Sequence, residues 1–157
     1  MSIQYAGQYE VKELIIYTSS GAILNLRNAI QSVNIYESMF ATSLSGTITI
    51  LDVDDIATNG PIIGQEYMKL RLTTPGLDDE EIDFTNTTFS IYKVTSRISG
   101  SQNAQLLTFS FTTPEILRNN RVRVSKSYTD TIDNIVESLL SDERYINTNK
   151  DVFIEET

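Results

Sequence analysis

Apolar and polar residues alternate along most of the first two thirds of this chain, the period of two expected of strands that bury one face. Residues 8–18 are rich in branched and aromatic side chains (Val11, Leu14, Ile15, Ile16, Tyr17), and Ser19-Ser20-Gly21 supplies turn chemistry before residues 22–26. That order predicts a hairpin. Residues 29–38 place Val33 and Ile35 on one side, and residues 45–52 alternate Ile48 and Ile50 against Thr47, Thr49 and Leu51. Asn59-Gly60-Pro61 then interrupts the pattern. Over residues 67–73, Met68, Leu70 and Leu72 oppose Lys69, Arg71 and Thr73, a strand with one wet side. Thr74-Pro75-Gly76 ends it, with proline and glycine suited to the central positions of a type II turn. A second hairpin pairs residues 87–98 with 104–112 across residues 100–103, with Leu107, Phe109 and Phe111 inward and Thr108, Ser110 and Thr112 outward.

The character changes at Thr113-Pro114-Glu115, where an N-cap residue, a proline at the first helical position and a first-turn acid predict a short helix to about Arg118. Arg121-Val122-Arg123-Val124 returns to a period of two and is expected to form a linker strand. From Thr129 to Asp142 the apolar residues Ile132, Ile135, Val136, Leu139 and Leu140 mark one face of a helix, with Asp130 and Asp133 near its positive end. The strand-like Val152-Phe153-Ile154 has no turn after it, as expected of a chain that continues into a second element. The sequence thus predicts a mainly β, antiparallel fold: a barrel-like domain over residues 1–117, then residues 118–157 as a linker strand, an amphipathic helix and the start of a second α+β element.

Composition narrows the chemistry. The 157 residues contain no cysteine and no histidine, which excludes thiol nucleophiles, disulfides, Cys/His zinc sites and imidazole bases. A net charge of −9 disfavours phosphate backbones and anionic membranes as partners of the whole molecule. No apolar run is long enough to span a bilayer and the N-terminus lacks a signal-peptide pattern, so a soluble, cytoplasmic product is expected. The densest acidic run, Asp78-Asp79-Glu80-Glu81 with Asp83, lacks the alternate ligand spacing of a calcium loop and is expected to be solvated or to face a partner. Asp52, Asp54 and Asp55 cluster at a strand end; Asp52 and Asp54 are expected to cap a turn or short helix near Ile56, because aspartate bonds its own backbone there. No phosphate-binding glycine loop or nucleophile elbow occurs, and Ser125-Lys126-Ser127 sits on opposite faces of any extended segment, so no catalytic residue, cofactor or metal is assigned. Arg118, Arg121, Arg123 and Lys126 form a basic strip free of acids, too short and too poor in aromatics to be a nucleic-acid platform. This strip and the acidic residues Asp78, Asp79, Glu80 and Glu81 are the candidate subunit interface, one copy's bases meeting a neighbour's acids.

Three segments then carry a resemblance: Asn34-Ile35-Tyr36-Glu37-Ser38-Met39-Phe40, Ser45-Gly46-Thr47-Ile48-Thr49-Ile50-Leu51-Asp52, and Gly60-Pro61-Ile62-Ile63-Gly64-Gln65-Glu66. Together with residues 117–128, Asp133-Asn134-Ile135-Val136 and the terminal Phe153-Ile154-Glu155-Glu156-Thr157, they resemble the central baseplate hub protein of contractile-tailed bacteriophages. The resemblance implies a structural virion protein of the tail baseplate, not an enzyme. It also implies a homotrimer of tail-tube-like barrels between tail tube and spike, with DNA passing through the ring without specific binding and with no membrane or small-molecule partner. Hub proteins of this type are longer than this chain, so the resemblance implies the N-terminal region of one. Two other readings compete: a β-rich receptor-binding or tail-associated module, and a carboxylate-dependent wall hydrolase, which needs two acids facing across a cleft.

Overall fold

The computed structural model describes residues 7–53, 56, 62–74, 81–101 and 104–155. Eight strands form one antiparallel sheet: β1 (Glu10–Tyr17), β2 (Ile23–Asn25), β3 (Ile30–Tyr36), β4 (Ser45–Asp52), β5 (Tyr67–Thr73), β6 (Glu81–Asp83), β7 (Phe89–Ser101) and β8 (Ala104–Thr112). Their order is β2-β1-β5-β7-β8-β4-β3, with β6 also paired to β5. Two short helices follow, α1 (Pro114–Asn119) and α2 (Ile132–Ser141). The fold is therefore mainly β, with both predicted hairpins in place.

The sheet curls. Leu26 donates its N–H to the carbonyl of Leu14 in β1 at 2.9 Å, and Ala29, three residues on, accepts from the N–H of Leu51 in β4 at 2.7 Å. In a flat sheet Leu26, on the β2 side of β1, and Ala29, on the β3 side of β4, would lie six strand spacings apart, about 29 Å, whereas three residues reach only about 10 Å. The turn from Leu26 to Ala29 therefore draws the two sides of the sheet together. Register shifts at Ile91/Lys93 and Val94/Ser96 in β7 add the local twist such curvature needs. The sheet does not close, however: β2 and β3, at the two ends of the order, do not pair with each other. The sheet is curled but open, so the antiparallel, mainly β fold is as expected and the expected barrel closure is not seen among the described residues.

The concave side holds the core, in which Leu14, Ile16, Ile48, Ile50, Met68, Leu70, Phe89, Ile91, Leu107, Phe109 and Phe111 are all buried. Each of these positions obeys the alternation of its strand, and each large side chain removed from water contributes about 1.5–3 kcal/mol. At one end Phe84, Phe89 and Phe111 pack as tilted rings with successive centroids 4.8 and 4.7 Å apart. Gly46 on β4 is what admits that cluster: a Cβ there would stand 2.3 Å from the Asn34 carbonyl oxygen and 2.4 Å from the Phe111 ring.

On the opposite face the expectation that Ser110 and Thr112 point into solvent is corrected, because both are buried. Their hydroxyls are used within the sheet, Ser110 bonding Thr95 at 2.6 Å and Thr112 donating to the Leu44 carbonyl at 3.0 Å. A row of hydroxyl residues crosses four strands in register, Ser32 opposite Thr49, Thr49 opposite Thr108 and Thr108 opposite Ser96.

The chain divides into two compact units, residues 1–112 and 113–157. In the second, the expected linker strand at Arg121–Val124 is absent: Arg121 closes a turn after α1, and no strand is formed from there to Thr129. Alternation alone does not make a strand when no sheet edge supplies hydrogen bonds. Val152–Ile154 likewise forms no strand. The amphipathic helix forms as expected but starts at Ile132, and none of its residues is fully buried.

Candidate functional site

The two halves of the charged interface expected from sequence fall on different elements. Asp78, Asp79 and Glu80 lie outside the described residues, as do Asp54 and Asp55 and the Pro75-Gly76 turn. Glu81 begins β6, a three-residue strand in which Glu81, Ile82 and Asp83 are all exposed. One side of β6 pairs with β5, Arg71 opposite Asp83 and Thr73 opposite Glu81. Arg71 bridges two strands electrostatically, 3.6 Å from Glu13 on β1 and 3.6 Å from Glu81 on β6. The Asp83 carboxyl is held below its ordinary value by hydrogen bonds from Thr85, whose backbone N–H lies 2.7 Å away. Two carboxylates thus flank one guanidinium, and Asp83 stands opposite Arg71 in the strand register.

The basic residues are not equivalent. Arg118, in the last turn of α1, donates to the backbone carbonyls of Ile146 and Asn147, so its guanidinium serves the second unit internally. Lys126 lies over the ring of Tyr128, 5.1 Å from its centroid. Arg121 and Arg123 are exposed, and among the described residues Arg123 meets only the carbonyl of its own neighbour Val122, at 3.1 Å. From Arg123 to Thr129 the backbone forms no hydrogen bond among the described residues.

Around this strip the second unit is tied by polar contacts. Glu115 accepts from the Thr148 hydroxyl at 3.0 Å and lies 3.3 Å from the Lys150 ammonium. Burial opposes its ionisation, but its own backbone N–H, the Lys150 charge and the Thr148 hydroxyl together hold it below the ordinary glutamate value. Asp142 is lowered to about 2 by the Arg144 guanidinium, which sits 2.5 Å from it on the surface.

Among the other acids, Asp52 is buried and accepts the N–H of Ile56 at 2.9 Å, the capping role expected for it. Glu66 was not singled out by pattern and is fully buried. Its carboxyl oxygens accept the N–H groups of Ile63 (2.8 Å), Gly64 (2.8 Å) and Gln65 (3.0 Å), while its carbonyl accepts from Ile91 of β7 at 2.9 Å. Gly64 has a φ of +90°, which turns three successive donors toward one acceptor. The signal available in sequence was the glycine two residues before an acid at a strand start. This carboxyl organises a loop; its partners are its own backbone, and it faces no second acid among them.

Pattern also passed over Met39 and Phe40. Both stand in the loop between β3 and β4 with 90% of their surface exposed. Adjacent large apolar residues that join no alternation are the sequence mark of such a tip. Among the described residues no group of three or more acids is placed to hold a metal ion. No helix there is long and apolar enough to cross a membrane. No protein-family profile matches the chain, and no curated protein is significantly similar to it in sequence.

Proposed function

We propose that this chain is a structural, self-associating ring component, the N-terminal part of a central baseplate hub that joins tail tube to spike in a contractile phage tail. The observation that carries the reading is the curled, open sheet, whose end strands β2 and β3 pair on one side only among the described residues. A sheet left open in this way is completed when neighbouring copies cover its edges, and continuation around a ring removes edges that otherwise invite aggregation. The exposed Met39–Phe40 tip supports the same reading, since apolar surface of that kind is characteristic of a contact that another molecule covers. The hydroxyl row across β3, β4, β8 and β7 is uncharged, a surface to which passing DNA has little reason to adhere.

The catalytic alternative has less support. Its carboxylates need a shared cleft, whereas Asp52 and Glu66 are each committed to nearby backbone N–H groups. Light scattering across a concentration series tests the proposal. A trimer is expected, and a monomer at every concentration would remove the ring reading in favour of a β-rich module with another task.

A further inference from the structure

Two features of the chain each lack what the other has. β6 is an edge strand with acids at alternate positions, Glu81 and Asp83, exposed together with the apolar Ile82 between them. Arg121-Val122-Arg123-Val124 has bases at alternate positions with valines between, and from Arg123 onward its backbone donors and acceptors have no partner among the described residues. We infer that Arg121–Val124 of one copy adds to the outer edge of β6 in a second copy, with Arg121 and Arg123 meeting Glu81 and Asp83.

Spacing, charge and backbone all point the same way. Residues two apart in a strand share a face, so a pairing that sets one arginine against one acid sets the second pair as well. Arg71 already serves both Glu13 and Glu81, which leaves the acidic edge short of positive charge, and each carboxylate has lone pairs to spare. Arginine suits the role because its planar fork bonds carboxylates in two places. The backbone groups of residues 123 and 124 would gain partners on β6, the mode by which an extended segment extends an exposed sheet edge. Arg118 and Lys126 take no part, because one is spent on the Ile146 and Asn147 carbonyls and the other rests on Tyr128.

The inference rests on the reading of the chain as self-associating, and its test separates the two. Sedimentation of the full chain at low ionic strength would be compared for wild type, Arg121→Glu/Arg123→Glu, Glu81→Lys/Asp83→Lys and the fourfold variant with both reversals, with circular dichroism as the folding control. Each reversal alone is expected to weaken association by at least about tenfold, and the fourfold variant to recover most of that loss. The chain has no cysteine, so Ile82→Cys in one preparation and Val122→Cys, the position opposite it in this register, in another provide a second readout. Mixed under oxidising conditions they should form a disulfide-linked heterodimer, and neither should do so alone with wild type. Wild-type association that is unmoved by either reversal, with no cross-link, overturns this pairing and leaves the ring reading standing. A monomeric wild type overturns both, and a closed dimer restored by the fourfold variant keeps the pairing and overturns the trimeric ring.

Discussion

Single residues fix the fold at two places where no other side chain fits. Gly46 is one: its missing Cβ is the space the Phe111 ring fills, beside the Asn34 carbonyl. Gly46→Ala forces backbone and ring apart, and the expected loss is about 3 kcal/mol, since overpacking against backbone cannot be relieved by a rotamer change. Urea unfolding monitored by tyrosine fluorescence measures it. Glu66 is the other. Glu66→Gln replaces an oxygen acceptor with an NH2 group facing a cluster of N–H donors, and is expected to cost about 1–3 kcal/mol, also by urea unfolding. An unchanged midpoint would mean that the loop of residues 62–66 repacks freely. Neither role was legible from alternation. Gly46 reads as an ordinary strand position until its neighbours across β3 and β8 are known, and Glu66 reads as the polar start of a strand until Gly64 turns the backbone around it.

Elements show where pattern suffices. In β4, β5 and β8 every residue predicted to point inward is buried, because a sheet with one packed side enforces the alternation it is read from. The same logic misplaced Thr73, Ser110 and Thr112, which are buried although they lie on the polar side of the alternation, the last two with their hydroxyls bonded to Thr95 and to the Leu44 carbonyl, and it made a strand of residues 121–124, which have the alternation and no sheet. In the second unit order comes instead from polar ties, among them Glu115 with Thr148 and Lys150. Because the folded pKa of Glu115 is depressed, its contribution is present above the ordinary glutamate value and is lost as pH falls through the lower, folded one. Carbon-detected NMR titration should place the Glu115 midpoint below that of a free glutamate side chain. Lys150→Ala should raise it, and a midpoint unmoved by that substitution would assign the depression to the backbone and Thr148 alone.

At the scale of the whole molecule the decisive property is that the sheet bends far enough to bring β1 and β4 to one short turn, yet leaves β2 and β3 unjoined. Strand patterns could not reveal this, since alternation says which side of a strand is buried and nothing about which strand lies last. The openness has a measurable consequence. In an antiparallel sheet the N–H groups of an end strand point alternately toward its partner and away from it, so every second amide of β3 is free in an isolated copy. Hydrogen exchange at high dilution should show protected amides throughout β4 and β8, which have partners on both sides, and alternating protection along β3. If copies complete one another's sheets, raising the protein concentration into the assembling range fills in the unprotected positions of β3 or β2 while β4 and β8 stay as they were. Protection that appears at the Met39–Phe40 loop alone would instead place the contact on the apolar tip. The ring would then be held by side chains, with the sheet edges left open to solvent.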